Sequence, residues 1–237
     1  MIYLYAINIS DIKYYDKVLS CISKISPERR MRLTKYKFDI DKIRCILGEL
    51  LLLYILKKHC RIEYDVITFN YNKYGKPMLV NYPEIHFNIS HSGPWVLCGV
   101  SEKTIGIDIE GGSTVDILLI AERFFSEKEY SYVLDSNNMK DTFYQIWTLK
   151  ECYIKCIGTG LSTPIASFQF EINQNSISIS RTNVQQLNYK FLSIKMCDEY
   201  YVGICSTEDE LDFWNGEIQQ FSLREFMYMQ DFEEAFL

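Results

Sequence analysis

With 237 residues, 48% of them hydrophobic and 24% charged, the chain has apolar material for one large domain or two small ones, which excludes a disordered polypeptide. A net charge of −6 argues against bulk nucleic-acid binding. No apolar run approaches the roughly 20 residues that span a bilayer, and residues 1–10 lack the basic start and cleavage site of a secretory leader, so a cytoplasmic protein is expected.

Eight cysteines stand scattered without a CxxC pair, and only three histidines are present, so buried free thiols are expected rather than disulfides or zinc. The charge is unevenly placed. Residues 27–44 carry seven basic groups (Arg29, Arg30, Arg32, Lys35, Lys37, Lys42 and Arg44) against Glu28, Asp39 and Asp41, a stretch suited to phosphates. Residues 208–237 carry nine acidic groups against Arg224 alone, a local −8 that leaves a body of +2.

In chain order, a strand is predicted at 2–7. A helix should begin at Ser26, where a serine cap is followed by Pro27 and Glu28. Helical spacing of Ile43, Leu47, Leu50, Leu51, Tyr54 and Ile55 predicts a second helix over about 41–59. The period then changes to two, with strands at 66–71, 85–89, 95–100 and 105–109 separated by the turns Tyr74-Gly75-Lys76-Pro77 and Ser92-Gly93-Pro94. The second half repeats this order: helices near 117–125 and 141–157, then strands at 167–172, 176–179, 191–196 and 201–206. Residues 96–101 even rhyme weakly with 201–206. The expectation is an α+β fold of two similar, pseudo-twofold halves, 1–110 and 111–237, with helices on mostly antiparallel sheets and a site at the seam near 111–115.

Three constellations carry chemistry. In Gly106-Ile107-Asp108-Ile109-Glu110, strand alternation puts both carboxylates on one face, where they suit a hard cation beside a phosphate. On spacing alone, a strand whose polar face meets water is the weightier reading. On the helix around Trp147-Thr148-Leu149-Lys150-Glu151, residues Phe143, Ile146, Trp147, Ile154 and Ile157 form one apolar stripe flanked by Glu151 and Lys155, one turn apart. That pair is either a surface bridge or a carboxylate and an ammonium aimed at one centre. Lys150 falls inside the stripe and needs a partner or a route to solvent. Phe87-Asn88-Ile89-Ser90-His91-Ser92-Gly93 closes a strand in small donors and one histidine, an anion-holding loop or plain polar surface. Gly158-Thr159-Gly160 is a helix cap rather than a dinucleotide fingerprint, and no Walker-type GxxxxGK[ST] occurs.

Taken in order, these blocks resemble the Sfp-type 4′-phosphopantetheinyl transferases. The resemblance runs from Ser26-Pro27-Glu28-Arg29 through the 74–77, 87–92 and 106–110 blocks and Arg123-Phe124-Phe125-Ser126 to Trp147-Thr148-Leu149-Lys150-Glu151, Lys155 and Gly158-Thr159-Gly160-Leu161-Ser162. It implies a monomer that moves the phosphopantetheine arm of coenzyme A to a serine of an apo acyl or peptidyl carrier protein, releasing 3′,5′-adenosine bisphosphate, with no nucleic-acid or membrane partner. It further implies that Asp108, Glu110 and Glu151 bind Mg2+, that Glu151 or a metal-bound water takes the serine proton, and that Lys155 neutralises the transferred phosphoryl group. Arg44, Lys76, Ser90 and His91 match positions that hold coenzyme A, with His91 at the 3′-phosphate. Arg29 and Arg32 stand where relatives often carry lysine, a change of donor geometry. Two other classes were weighed. A coenzyme A-binding module has no need of three carboxylates, and a magnesium phosphohydrolase needs no protein acceptor.

Overall fold

In the computed structural model, which describes residues 1–63, 66–112, 114–173, 176–180, 188–207, 214 and 216–229, strand β1 (Ile2–Asn8) pairs antiparallel with β5 (Trp95–Ser101). Strand β5 pairs in turn with β4 (His86–Ser92), in a register that sets Ile89 opposite Cys98. A short helix α1 (Tyr15–Ser20), not anticipated from the sequence, precedes α2 (Pro27–Leu33). The latter begins as expected: the Ser26 hydroxyl accepts from the Arg29 backbone N–H at 3.4 Å and Pro27 fills the first turn. Helix α3 (Asp39–Ile55) starts two residues earlier than its periodicity indicates and closes in a π turn, Leu56–Cys60, ended by Arg61 at φ 58°. It is buried on nearly every side because it packs against β1, β5 and β4 and also against α1.

The chain then makes a small hairpin of β2 (Phe69–Tyr71) and β3 (Pro77–Leu79), shorter at its start than the predicted 66–71 strand. Residues 64–65 lie outside the described part. The turn needs Gly75, whose φ is +89°. Strand β6 (Ile105–Gly111) leaves the first sheet and joins β10 (Tyr200–Thr207), with Asp108 opposite Gly203, and β10 pairs with β9 (Tyr189–Cys197). The division between sheets therefore falls between β5 and β6, ahead of the carboxylate strand. Helix α4 (Ile117–Phe124), the unanticipated α5 (Glu127–Leu134) and α6 (Met139–Ile157) precede a second hairpin of β7 (Gln169–Asn173) and β8 (Ser176–Ser180).

Three cores stack these elements as helix, sheet, sheet, helix. Helix α3 packs on the outer face of the first sheet. The inner faces meet through Leu4, Ala6 and Leu97 against Ile107, Ile109, Val202 and Ile204. Helix α6 packs on the outer face of the second sheet through Leu149, Cys152 and Cys156, beside Cys205. The two rhyming segments occupy equivalent places, β5 between β1 and β4 and β10 between β6 and β9. All eight cysteines are free and six are buried.

One expectation changes. The apolar stripe of α6 is divided: Phe143, Ile146 and Trp147 enter a core with α4 and α5, whereas Ile154 and Ile157 enter the core with β7 and β9. Part of the acidic 208–237 stretch packs against the body of the protein. Strand β11 (Gln219–Ser222) pairs parallel with β1, and helix α7 (Leu223–Met227) buries Leu223, Phe226 and Met227, while 208–213, 215 and 230–237 lie outside the described residues. Among the described residues no helix is long and apolar enough to cross a membrane.

Gly106 decides how close α6 lies to β6, because a methyl there would overlap the Cys152 carbonyl oxygen and the Cys156 backbone. Overpacking of this kind costs about 1 to 3 kcal/mol. Gly106→Ala should lower the unfolding free energy by that amount in urea denaturation, and wild-type stability would show that the helix does not rest on this strand.

Candidate functional site

The edges of the two sheets are spliced by side chains. Alternation puts Asn88, Ser90 and Ser92 of β4 on the face turned toward β6. Asn88 Oδ1 accepts from the Ile107 backbone N–H at 3.0 Å, and Ser90 Oγ accepts from that of Ile109 at 3.3 Å. This brings β6 under β4 with its own alternate residues, Asp108 and Glu110, turned toward α6.

Asp108 is 3% exposed, so its face does not meet water. Its Oδ1 accepts from Lys155 Nζ at 2.6 Å and from Ser90 Oγ at 2.8 Å, and Lys155 also donates to Ser90 at 2.9 Å. Three elements, β4, β6 and α6, thus close one triangle. Asp108 Oδ2 is buried without a hydrogen-bond partner. Glu110 accepts from Ser92 Oγ at 2.7 Å, a contact that the alternation of Asn88, Ser90 and Ser92 would have indicated. Burial, then the charge of Asp108, pushes the Glu110 carboxyl up to about 6. The same two causes raise Glu151, against the lowering effect of Lys155. Negative charge here exceeds what Lys155 offsets.

A divalent cation fits the chemistry of this donor set: three carboxylates, one with an unpartnered buried oxygen and two whose pKa is raised by burial and by the charge of Asp108. Among the described residues no three such groups already converge on one point.

The basic groups divide. Arg29 is turned inward, its Nε 2.8 Å from Glu49 Oε2 and its Nη1 on the Cys45 carbonyl at 3.4 Å. Glu49, 1% exposed, also accepts from the Ser26 backbone N–H and hydroxyl, and burial raises its pKa despite Arg29. This partnership between α2 and α3 was not read from the sequence. Arg32 is exposed, with its guanidinium 5.1 Å from the Tyr71 ring. Arg44 donates to the Gly93 carbonyl at 2.6 Å and pairs with Asp41 at 3.2 Å, its Nε buried without a partner. His91 lies near Arg44 on the opposite face of β4 from Ser90; desolvation from the surrounding protein, then Arg44 and Lys155, lower its pKa although its ring remains open to solvent. Lys76 reaches inward from the hairpin and donates to the carbonyls of Cys156 at 2.9 Å and Ile105 at 3.2 Å, with burial lowering its pKa.

Glu151 and Lys155 open onto a cavity of about 450 Å3 lined also by Tyr74, Lys76, Phe124, Leu161 and Ile165. Lys150 faces away from it. The lysine is 0% exposed and finds the partner it needs in Glu129, at 3.0 Å.

Glu110 titrates near 6 folded against an ordinary 4.5, so the folded state binds more protons. Its contribution favours folding below about pH 4.5 and is lost as pH rises through about 6. In EDTA, the stability of Glu110→Gln relative to wild type should therefore grow over that window, as read by urea unfolding; a difference independent of pH would contradict the buried, uncompensated carboxyl.

A 4′-phosphopantetheinyl transferase superfamily model matches residues 104–205, and an N-terminal 4′-phosphopantetheinyl transferase model matches 13–103. The chain is 39% identical over 170 residues to the 4′-phosphopantetheinyl transferase Sfp of Bacillus subtilis (strain 168), covering 68% of this chain and 75% of that one. It is 42% identical over 166 residues to the 4′-phosphopantetheinyl transferase gsp of Aneurinibacillus migulanus, covering 69% of each. An L-aminoadipate-semialdehyde dehydrogenase-phosphopantetheinyl transferase of Xenopus laevis is 30% identical over 213 residues, covering 80% of this chain and 70% of that one. The two matched models meet between residues 103 and 104, where the first sheet gives way to β6. Spliced at that junction around a charged centre, the chain belongs to the 4′-phosphopantetheinyl transferase superfamily.

Proposed function

We propose that the seam between β4, β6 and α6 is where this enzyme transfers the 4′-phosphopantetheine of coenzyme A to a serine of an apo carrier protein. The observation that carries this reading is the triangle of Ser90, Asp108 and Lys155, with an unpartnered Asp108 oxygen and the carboxylates of Glu110 and Glu151 beside it. Phosphoryl transfer asks a protein chiefly for positioning and charge neutralisation, and this centre offers both.

Asp108, Glu110 and Glu151 would hold Mg2+, which when bound neutralises the pyrophosphate of coenzyme A. Lys155, already aimed into the seam, offsets negative charge on the phosphoryl group in transfer. Glu151 accepts the proton of the attacking serine, and the raising of its pKa by burial and by the charge of Asp108 makes it a stronger base than an exposed carboxylate. The serine oxygen bonds to the phosphorus that carries pantetheine, the bond to the bridging oxygen breaks, and 3′,5′-adenosine bisphosphate departs. Arg44, Lys76, Ser90 and His91 orient coenzyme A, with His91 at the 3′-phosphate. Arg32 is free to swing to a phosphate. Arg29 has its guanidinium engaged by Glu49 and would reach one only by sharing that pairing. Both sides of the seam come from one chain, so a monomer suffices, and the free thiols suit the reducing cytoplasm.

Apo carrier proteins incubated with coenzyme A and magnesium should gain the mass of phosphopantetheine, read by intact mass; release of free phosphopantetheine without carrier would instead mark a phosphohydrolase. Asp108→Ala should fold and lose about 100- to 1,000-fold in turnover, the usual cost of one transition-state charge contact. Normal magnesium-dependent turnover would remove the metal assignment.

For His91, dephospho-coenzyme A supplies the control. His91→Ala should weaken coenzyme A binding, measured by calorimetry, more than that of the donor lacking the 3′-phosphate; equal losses would place the histidine elsewhere.

A further inference from the structure

The Lys150–Glu129 pair lies outside the centre described above, yet its atoms are fully used. The two side chains are 0% and 1% exposed, and Lys150 Nζ sits 3.0 Å from Glu129 Oε2. The ammonium also donates to the carbonyls of Phe168 at 2.7 Å and Ile165 at 3.1 Å, and stands 4.7 Å from the Phe168 ring. Glu129 Oε1 accepts from the Phe170 backbone N–H at 2.8 Å, and Oε2 from that of Ser126 at 2.8 Å, completing the capping box of α5.

An apolar pair of similar volume would fill this space without the desolvation cost of two charges. It would lack donors for the carbonyls of Ile165 and Phe168. Those carbonyls belong to the segment 158–168, of which Gly160, Leu161, Thr163, Pro164 and Ile165 line the cavity together with Glu151. The upstream end of the segment is tied where Asn72 Nδ2 donates to the Gly158 carbonyl at 2.7 Å. Lys150 ties the downstream end. Between the ties the segment holds itself by its own bonds, Thr159 to Thr163 at 2.6 Å, with Leu161 wholly exposed. The anchor therefore shares one helix with Glu151 but points the other way, and it fixes a cavity wall relative to that carboxylate.

We infer that Lys150 is a positioning residue: held by Glu129, it anchors the 158–168 wall at the distance from Glu151 that seats the carrier serine for transfer. The inference rests on the transferase reading above. None of the groups assigned to coenzyme A (Arg44, Lys76, Ser90, His91) belongs to the anchored segment, so loss of the anchor separates acceptor from donor. A misplacement of about 1 Å in such a wall costs on the order of 100-fold.

The test compares wild type, Lys150→Met, Glu129→Gln and the double variant Glu129→Gln/Lys150→Met, using an apo acyl carrier protein and coenzyme A, with transfer read by intact mass and donor binding by calorimetry. The double variant removes the anchor without leaving a buried charge, which guards against the single Lys150 variant failing to fold. It should fold, bind coenzyme A as wild type does, and lose about 10- to 100-fold in kcat/KM for the carrier. Glu129→Gln, which keeps the lysine and its carbonyl bonds, should stay much closer to wild type. A double variant with wild-type kcat/KM, one that loses coenzyme A affinity by the same factor, or one that does not fold would each overturn the inference. Absence of transfer by the wild type would overturn the transferase reading instead.

Discussion

The contact between Lys155, Asp108 and Ser90 is the point on which the molecule turns, because it is made by one residue from each of three elements that no continuous ladder joins. Strands β4 and β6 belong to different sheets, and the side chains of Asn88 and Ser90 reach across from β4 to satisfy the backbone of β6. A serine at position 90 thus serves the fold and the charged centre with one oxygen. Burial strengthens each of these hydrogen bonds and makes each expensive to leave unmade. The seam is therefore rigid where it is polar, an arrangement suited to holding a pyrophosphate.

The charge pattern around that point follows from the same burial. Asp108 takes the one nearby ammonium, which leaves Glu110 and Glu151 with protons bound more tightly than in water. Cations elsewhere do not remedy this, because Arg29 is spent on Glu49, Lys76 on backbone carbonyls, and Lys150 on Glu129. Of the basic groups that crowd the sequence between Arg29 and Arg44, the exposed ones are those able to respond to an incoming phosphate. A count of positive residues overstates the charge available to a ligand when some of it closes the interior.

What was legible in the sequence was periodic. The alternation of Ile107 and Ile109 with Asp108 and Glu110 gave the strand and its polar face, and the spacing of Glu151 and Lys155 gave their shared outlook on α6. The burial of that polar face was not legible, since it depends on β4 and α6, which are distant in the chain. Lys150 announced a missing partner, but Glu129 lies on a helix whose short, polar α5 segment offers little hydrophobic period. Glu49 was hidden in the same way, as a carboxylate among leucines whose partner Arg29 stands in a basic stretch suited to phosphates. The single apolar stripe drawn on α6 failed because the helix is packed from two directions, by α4 and α5 toward its start and by the β7 and β9 strands toward its end. The docking of 219–227 escaped because acidity was read over the whole stretch, and the short apolar run that anchors it was averaged away.

The parallel pairing of β1 with β11 bears on how the molecule comes into being during synthesis. During synthesis β5 follows β1 and can cover one of its edges early. Its other edge waits far longer, since Tyr5 meets Gln219. Until then a hydrophobic strand offers unpaired backbone groups to any neighbouring nascent chain. The late arrival of Gln219–Ser222, followed by the burial of Leu223 and Phe226, acts as a clasp that shuts this edge and removes an aggregation hazard.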